Sequence, residues 1–426
     1  MIKQYCYGEV ENSKILSRRD TAIHVEAPVA EIISQVIARG DEALLEYTER
    51  FDGVRPEKLE VSEVEYQEAI ASLEPEFLAI LEEAAANIRA YHEQQVRRDY
   101  IMKGKDGVLL GMKITPIEKV GLYVPNGTAP YPSTVLMDAV PAKIAGCSEL
   151  IMVTPPNRDG KVDPGILAAA RVAGIDRVFK VGGAQAIAAL AYGTESIPAV
   201  YKIVGPGNAY VAEAKKQVFG RVAIDVVAGP SEVLVVADEK SDSRVVAADM
   251  LAQAEHDKLS TAVLVTDSEA LAMQVAEEIE RQLKTLPREE IARASIENNG
   301  KIILAPNLET AIEIANEIAP EHLELCLDDP FAWLGQVKNA GSIFLGRNAP
   351  EPLGDYMAGP NHTLPTGGIA KFASPLGVDD FVKKSQFTYY TREALEEISG
   401  KLAVFARKEG LEGHARSARV RFEGEP

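Results

Sequence analysis

VGLYVP (120–125), STVLMDAVPAKIAG (133–146), ELIMVTPP (149–156), PGILAAARVAG (164–174), RVFKVGG (177–183), AQAIAALAYG (184–193), YKIVGPG (201–207) and NAYVAEAKKQVFG (208–220) alternate strand-like and helix-like runs. Short apolar runs separated by helical runs of about 10–15 residues are the pattern of βαβ units on a parallel sheet. A second series follows, with EVLVVAD (232–238), TAVLVTD (261–267), KIILAP (301–306), HLELCL (322–327) and GSIFLG (341–346) as strands. A helix from about Ser243 to His256 lies between the first two of them. Upstream, residues 28–100 read as helical, and Glu74 to Tyr100 is rich in Ala, Glu and Leu at helical spacing. SQFTYYT (385–391) is a candidate strand, with two helices after it.

The expected fold is therefore α/β: two Rossmann-like parallel-sheet domains, a helical N-terminal segment and a small C-terminal α-rich tail domain. The expected boundaries are an N-terminal tail at 1–20, a first α/β domain from 21–119 and 233–376, a second from 120–232, and a tail from 377–426 that docks on a partner subunit. At 426 residues, two or three domains of roughly 100–200 residues each are expected.

Acids outnumber bases by 64 to 45, for a formal charge of −19. That balance disfavours a nucleic-acid backbone or an anionic membrane surface as partner. No apolar run reaches the ~18 residues of a membrane span. The opening MIKQYCYGEVENSKILSRRD lacks the apolar core of a signal peptide, so the expected location is cytoplasmic. Cys6, Cys147 and Cys326 are far apart and form no Cys-x-x-Cys, which argues against a disulfide framework and a thiolate zinc cluster.

His24 and His92 read as solvated side chains, and the other four histidines lie in polar clusters. In LAQAEHD (251–257), Gln253 and His256 are three apart on one helix and share a side, which suits two ligands of one metal, zinc above all. The alternative is a polar histidine at the end of an amphipathic helix. In APEHLEL (319–325), Glu321 and His322 sit on a turn into a strand, where a carboxylate and an imidazole make an acid–base pair or a salt-bridged surface turn. EPLGDYMAGPNHTLPTGG (351–368) carries Asp355, an oxygen donor for the same metal, before a Gly- and Pro-rich loop with Asn361 and His362. EGLEGHARSARVR (409–421) carries Glu409, Glu412 and His414, and in isolation reads as a solvated face.

VGGAQA (181–186) and GPGNAYV (205–211) each end a strand and open a helix, where free N–H groups and the helix dipole attract phosphate. Lys180 and Lys202 lie nearby. Neither turn is the Gly-x-Gly-x-x-Gly fingerprint, and there is no P-loop. Ser231, in GPSEV (229–233), falls at the hinge between the two domains.

GLYVPNGTAPYPSTVLM, GGAQAIAALAYGT, GPGNAYV, AGPSEVLVVAD, LAQAEHD, APEHLEL and GPNHTLPTGG, in this order, closely resemble the histidinol dehydrogenase family from about residue 20 to the end. The resemblance implies a zinc enzyme that oxidises L-histidinol through the aldehyde to L-histidine with two NAD, the last step of histidine biosynthesis. It implies Gln253, His256, Asp355 and His414 as ligands of one zinc per subunit, and Glu321 and His322 as the acid–base residues. Ser231, His362 and Glu409 would border the substrate together with the zinc ligands and His322. Tyr123, Gln185 and Asn208 would contact NAD. It further implies a homodimer in which the tail completes the partner's site. Asn126 departs from the family, standing where a second glycine is expected, with only a local effect beside the NAD pocket. A cysteine thiohemiacetal route is disfavoured, because Cys147 and Cys326 read as core. A zinc hydrolase would leave the two glycine turns idle, and a two-lobed binding protein would leave Glu321 and His322 idle.

Overall fold

The computed structural model describes residues 1–18, 25–126, 130–227 and 229–424. His24, read as a solvated side chain, lies outside the described residues. The strands are β1 (Lys3–Cys6), β2 (Tyr100–Lys103), β3 (Val108–Pro116), β4 (Lys119–Tyr123), β5 (Glu149–Thr154), β6 (Arg177–Lys180) and β7 (Lys202–Val204). They continue with β8 (Ala223–Ile224), β9 (Glu232–Ala237), β10 (Thr261–Thr266), β11 (Lys301–Leu304), β12 (His322–Cys326), β13 (Ser342–Leu345) and β14 (Val382–Tyr390). The chain divides into two compact units, one of residues 1–95 and 117–381 and one of residues 96–116 and 382–426.

The larger unit holds two parallel sheets. One runs β6-β5-β4-β7-β8 and the other β1-β11-β10-β9-β12-β13. Successive residues of each strand face opposite sides. Ile151 and Val153 enter one core, and Leu150 and Met152 enter another. Both faces are covered, so the central strands β4, β5, β9 and β10 are largely apolar. Around the second sheet, the helices Ser243–Ala254, Glu269–Leu283 and Glu289–Asn299 cover one face, and Leu308–Ile318 covers the other.

The structure corrects the expected boundaries in three places. The described part of the expected N-terminal tail, residues 1–18, is built into the larger unit. β1 pairs in parallel with β11, and Ile15 of the short helix Asn12–Leu16 is fully buried. The helical segment packs on the β4–β8 sheet rather than on the sheet that contains β9. Its helices Glu26–Arg39 and Asp41–Asp52 bury Ile33, Val36 and Leu44 with Ile151 and Phe179, while Pro75–His92 buries Leu81 and Ile88 with Leu122 and Leu150. Between these helices the backbone runs along edge strand β6, where Val61 N–H donates to the Val178 carbonyl at 2.9 Å. An amphipathic stripe specifies that a face is buried, but not which sheet buries it.

The third correction concerns the tail. Residues 377–381 belong to the larger unit, and the smaller unit takes in residues 96–116. Within the smaller unit β14 pairs antiparallel with β3 along its whole length, β2 pairs with the other edge of β3, and the helices Arg392–Lys408 and Glu412–Arg419 follow. The first of these helices exposes Leu402, Val404 and Phe405. Among the described residues no helix is long and apolar enough to cross a membrane.

His92 is not solvated. It is fully buried, one turn beyond Ile88 on the stripe Leu81, Ala84, Ala85, Ile88. Its Nδ1 lies 2.8 Å from Gln95 Oε1, and burial pushes its pKa below the ordinary 6.5. Below pH 6.5 the unfolded chain binds a proton that the folded site resists, so acid favours unfolding. His92→Gln is expected to lose less melting temperature than the parent between neutral and mildly acidic pH, the parent's His92 contribution being at most about 1.4 kcal/mol per pH unit. Thermal melts across that range check this.

Candidate active site

The β4–β8 sheet reverses its strand order between β4 and β7, and Tyr123 and the turn Gly205–Asn208 lie at the carboxyl ends of these two strands. Such a reversal opens a crevice where α/β sheets bind ligands. Tyr123 is buried, and its hydroxyl accepts the Gly183 N–H at 3.1 Å. Gln185 is buried two residues further on, with its Oε1 unpartnered. Asn208 is exposed, and its side-chain oxygen caps the helix Ala209–Val218 by accepting the N–H groups of Tyr210 (3.0 Å) and Val211 (3.1 Å). Gly205 takes a φ of +113°, and a Cβ there would meet the Tyr123 carbonyl at 2.1 Å, so only glycine fits.

Lys180 and Lys202 do not serve this crevice as anion partners. The first pairs with Glu65 at 2.8 Å, and the second donates to the Asp380 carbonyl at 2.8 Å. Asn126 is outside the left-handed region, since Ala319 is the one non-glycine residue there among the described residues. Its amide instead donates to the Pro155 carbonyl at 3.1 Å.

Glu321 and His322 follow the helix Leu308–Ile318. Ala319 ends that helix at a φ of 51°, Pro320 blocks its continuation, and the chain turns into β12 beside β9. The pair is not a surface turn, because Glu321 is 6% and His322 4% exposed. Both side chains hang on one residue of β9. Glu321 Oε2 accepts the Glu232 N–H at 2.8 Å, and His322 Nδ1 lies 3.0 Å from the Glu232 carbonyl. A carbonyl can only accept, so Nδ1 carries the proton and Nε2 is bare. Burial raises the Glu321 pKa well above the usual carboxyl range and lowers that of His322 to about 4. The two are therefore a neutral acid and a neutral base rather than an ion pair. Ser231, half-buried, immediately precedes Glu232.

His322, Glu324 and Cys326 share one face of β12. Glu324 Oε1 accepts the Glu351 N–H at 2.8 Å and so fixes the start of the helix Glu351–Tyr356. Glu351 and Asp355 are one turn apart on it. His256, Glu351 and Asp355 offer ligand atoms that all lie within 4.8 Å of one another. Burial pushes Glu351 up to about 10. Asp355 is held at about 2, because hydrogen bonding to His362 and the nearby imidazoles outweigh its burial. Gln253, one helical turn before His256, is 1% exposed, and neither its amide oxygen nor its amide nitrogen has a partner.

Two carboxyls and an imidazole so close together suit a divalent cation, which would supply the missing charge, and the orphaned Gln253 amide one turn before His256 would offer it an oxygen. A second group, Asp249, Glu324 and Cys326, also lies within 4.8 Å, but its two acids already bond to each other and Glu324 holds the Glu351 N–H. Glu351 was not singled out in the sequence. Its spacing from Asp355 was the signal that could have found it.

His362 is placed by the helix Pro132–Ala145. Pro141 has no N–H to give the Met137 carbonyl one turn back, and that carbonyl accepts the Asn361 amide at 2.6 Å instead. Thr363 donates to Asp138 at 2.9 Å, and Thr134 Oγ1 lies 3.3 Å from His362 Nε2. His362 Nδ1 lies 3.2 Å from the Asp355 carbonyl, and bonding to Asp355 raises the His362 pKa against its burial. Glu409 and His414 belong to the smaller unit and are exposed. Cys147 and Cys326 are buried, and burial pushes Cys147 up to about 11 and Cys326 higher still, far from a reactive thiolate.

Residues 16–422 match the family model for histidinol dehydrogenase. The chain is 54% identical over 415 residues to the histidinol dehydrogenase of Bacillus cereus, covering 97% of this chain and 95% of that protein. It is 55% identical over 395 residues to that of Geobacillus kaustophilus, covering 93% of each. The crystal structure of histidinol dehydrogenase from Elizabethkingia anophelis superposes with a TM-score of 0.94 at 37% identity, covering 99% of this chain and 98% of that one. With a parallel α/β fold, a buried acid–base pair and relatives aligned almost end to end, the chain belongs to the histidinol dehydrogenase family of oxidoreductases.

Proposed function

We propose that this chain oxidises L-histidinol to L-histidine through L-histidinaldehyde, using two NAD and one zinc ion per subunit. The observation that carries the reading is the suspension of Glu321 and His322 from the two polar atoms of one peptide residue, Glu232, in a buried setting. Gln253, His256 and Asp355 would hold the zinc from the larger unit. Tyr123, Gln185 and Asn208 would line the NAD crevice. When bound, the zinc supplies a fixed positive template for the substrate's imidazole and amine nitrogens, and NAD accepts hydride.

His322, neutral because it is buried, takes the hydroxyl proton at Nε2 in the first oxidation. Glu321, fixed through Oε2, presents Oε1 to the water that adds to the aldehyde, and works as a base once positive charge in the pocket ionises it. His322 returns its proton to the carbonyl oxygen as the water adds, and is then free to deprotonate the hydrate as the second hydride leaves for NAD. His362, held by Thr134 and Asp355, and Ser231 border the substrate.

We further propose a homodimer in which Glu409 and His414 of one protomer complete the other's site. Both are exposed on a compact unit whose first helix presents Leu402, Val404 and Phe405 to solvent. Such an apolar face suits a second copy of the chain.

Histidinol with NAD is expected to yield NADH, and a chelator is expected to abolish it; NADH formation unaffected by exhaustive chelation would exclude the metal. Supplying histidinol and histidinal separately, Glu321→Gln is expected to slow the aldehyde step by about 10²–10⁴-fold and the alcohol step less, and His322→Asn to slow both. Equal losses in Glu321→Gln would overturn this division. Gln253→Leu removes a buried amide whose lack of partners costs about 1–3 kcal/mol. It is expected to lower zinc retention through dialysis without lowering the melting temperature of the metal-free protein.

A further inference from the structure

Arg18 lies at the end of the segment that the sequence alone presents as a tail. That segment is firmly held. β1 pairs with β11, Ile15 is buried against the helix Leu308–Ile318, and the Lys301 ammonium donates to the carbonyls of Ile15 (2.9 Å) and Ser17. The Arg18 guanidinium is thereby delivered to the back of the acid–base pair.

Arg18 grips the Glu232 carboxylate through both oxygens, one bond being Nη2 to Oε2 at 2.9 Å. The Glu232 side chain is only 7% exposed, so its charge depends on this partner. The same Nη2 donates to the Ile318 carbonyl at 2.6 Å and reaches the Ala319 carbonyl at 3.5 Å. These carbonyls end the helix Leu308–Ile318 and have no donor within it. Gly368 leaves room for the guanidinium, since a Cβ there would come within 2.8 Å of Nη1.

One planar group thus joins the start of β9, whose peptide atoms carry Glu321 and His322, to the turn that delivers those two residues. We propose that Arg18 is a positioning residue for the oxidation chemistry: it locks Glu232 against the Ile318–Ala319 turn and so fixes where Glu321 and His322 point. The inference rests on the reading of Glu321 and His322 as the acid–base pair. A lysine cannot reproduce the contact, because it lacks the fork that spans a carboxylate and a carbonyl together.

The test measures kcat, KM for histidinol and for NAD, and zinc content in the full-length enzyme. Arg18→Ala is expected to lower kcat by about 10–100-fold, the usual consequence of displacing catalytic groups by a fraction of an ångström to an ångström. Both KM values and the zinc content are expected to stay near those of the parent. Guanidinium ions added to Arg18→Ala are expected to restore part of kcat. In a His322→Asn background, Arg18→Ala is expected to add no further loss. Should Arg18→Ala not fold, Arg18→Lys is judged by the same split between kcat and KM. A fall in melting temperature with kcat intact, or a loss confined to KM or zinc content, would overturn the assignment. Full activity in His322→Asn would instead remove the acid–base reading beneath it. Loss in His322→Asn with kcat intact in Arg18→Ala would reject Arg18 alone.

Discussion

A single residue, Glu232, holds the acid and the base together. Its N–H fixes the Glu321 carboxyl and its carbonyl fixes the His322 ring, so the two cannot shift relative to each other without moving β9. Backbone atoms in the middle of a parallel sheet are about as immobile as a protein offers. The burial that immobilises the pair also sets its protonation, since removal from water favours the neutral form of each. Geometry and charge state therefore have a common origin, and both depend on β9 and β12 being neighbours.

The two sheets of the larger unit meet functionally through the helix Pro132–Ala145. It begins beyond β4, in the crevice side of one sheet, and its Thr134, Met137 and Asp138 hold residues 361–363 of the loop that follows the other. Asp138 is itself buried, and burial together with the neighbouring Asp225 pushes it up to about 7. Asp225 accepts the Gly205 N–H at 2.8 Å, in the turn assigned to the coenzyme. Asp225 and Asp138 thus lie in line between that turn and Thr363 beside His362, with Asp138 Oδ2 left without a hydrogen-bond partner.

The alternation of apolar and helical runs made both sheets legible, because strands buried on both faces admit few other readings. β8 escaped notice because it has two residues, and β1 because KQYC is mostly polar. β2 (YIMK) has four residues, all exposed, so it shows no alternation of buried and exposed positions. His92 continues the stripe that includes Ile88, so its burial follows periodicity rather than residue type. The clusters by themselves leave a surface turn and a polar helix end open, and the family resemblance is what singles out the candidate site residues. Glu232 and Arg18 gave no local signal at all. Their roles come from partners 89 or more positions away, and sequence spacing carries no information about such contacts.

The two sheets use opposite edges. The crevice beside Tyr123 lies at the carboxyl ends of its strands, where the helices Gly183–Tyr192 and Ala209–Val218 begin. Glu321 and His322 lie at the amino end of β12, just past the last turn of Leu308–Ile318, and His256 just past that of Ser243–Ala254. A helix presents a partial positive charge at its start and a partial negative charge at its finish. One sheet thus turns a partial positive charge, and the other a partial negative charge, toward the residues at these strand ends. Before any side chain is counted, the direction in which the chain threads each lobe sorts anion from cation. In a protein with a net charge of −19, such helix starts supply local positive potential without a basic patch.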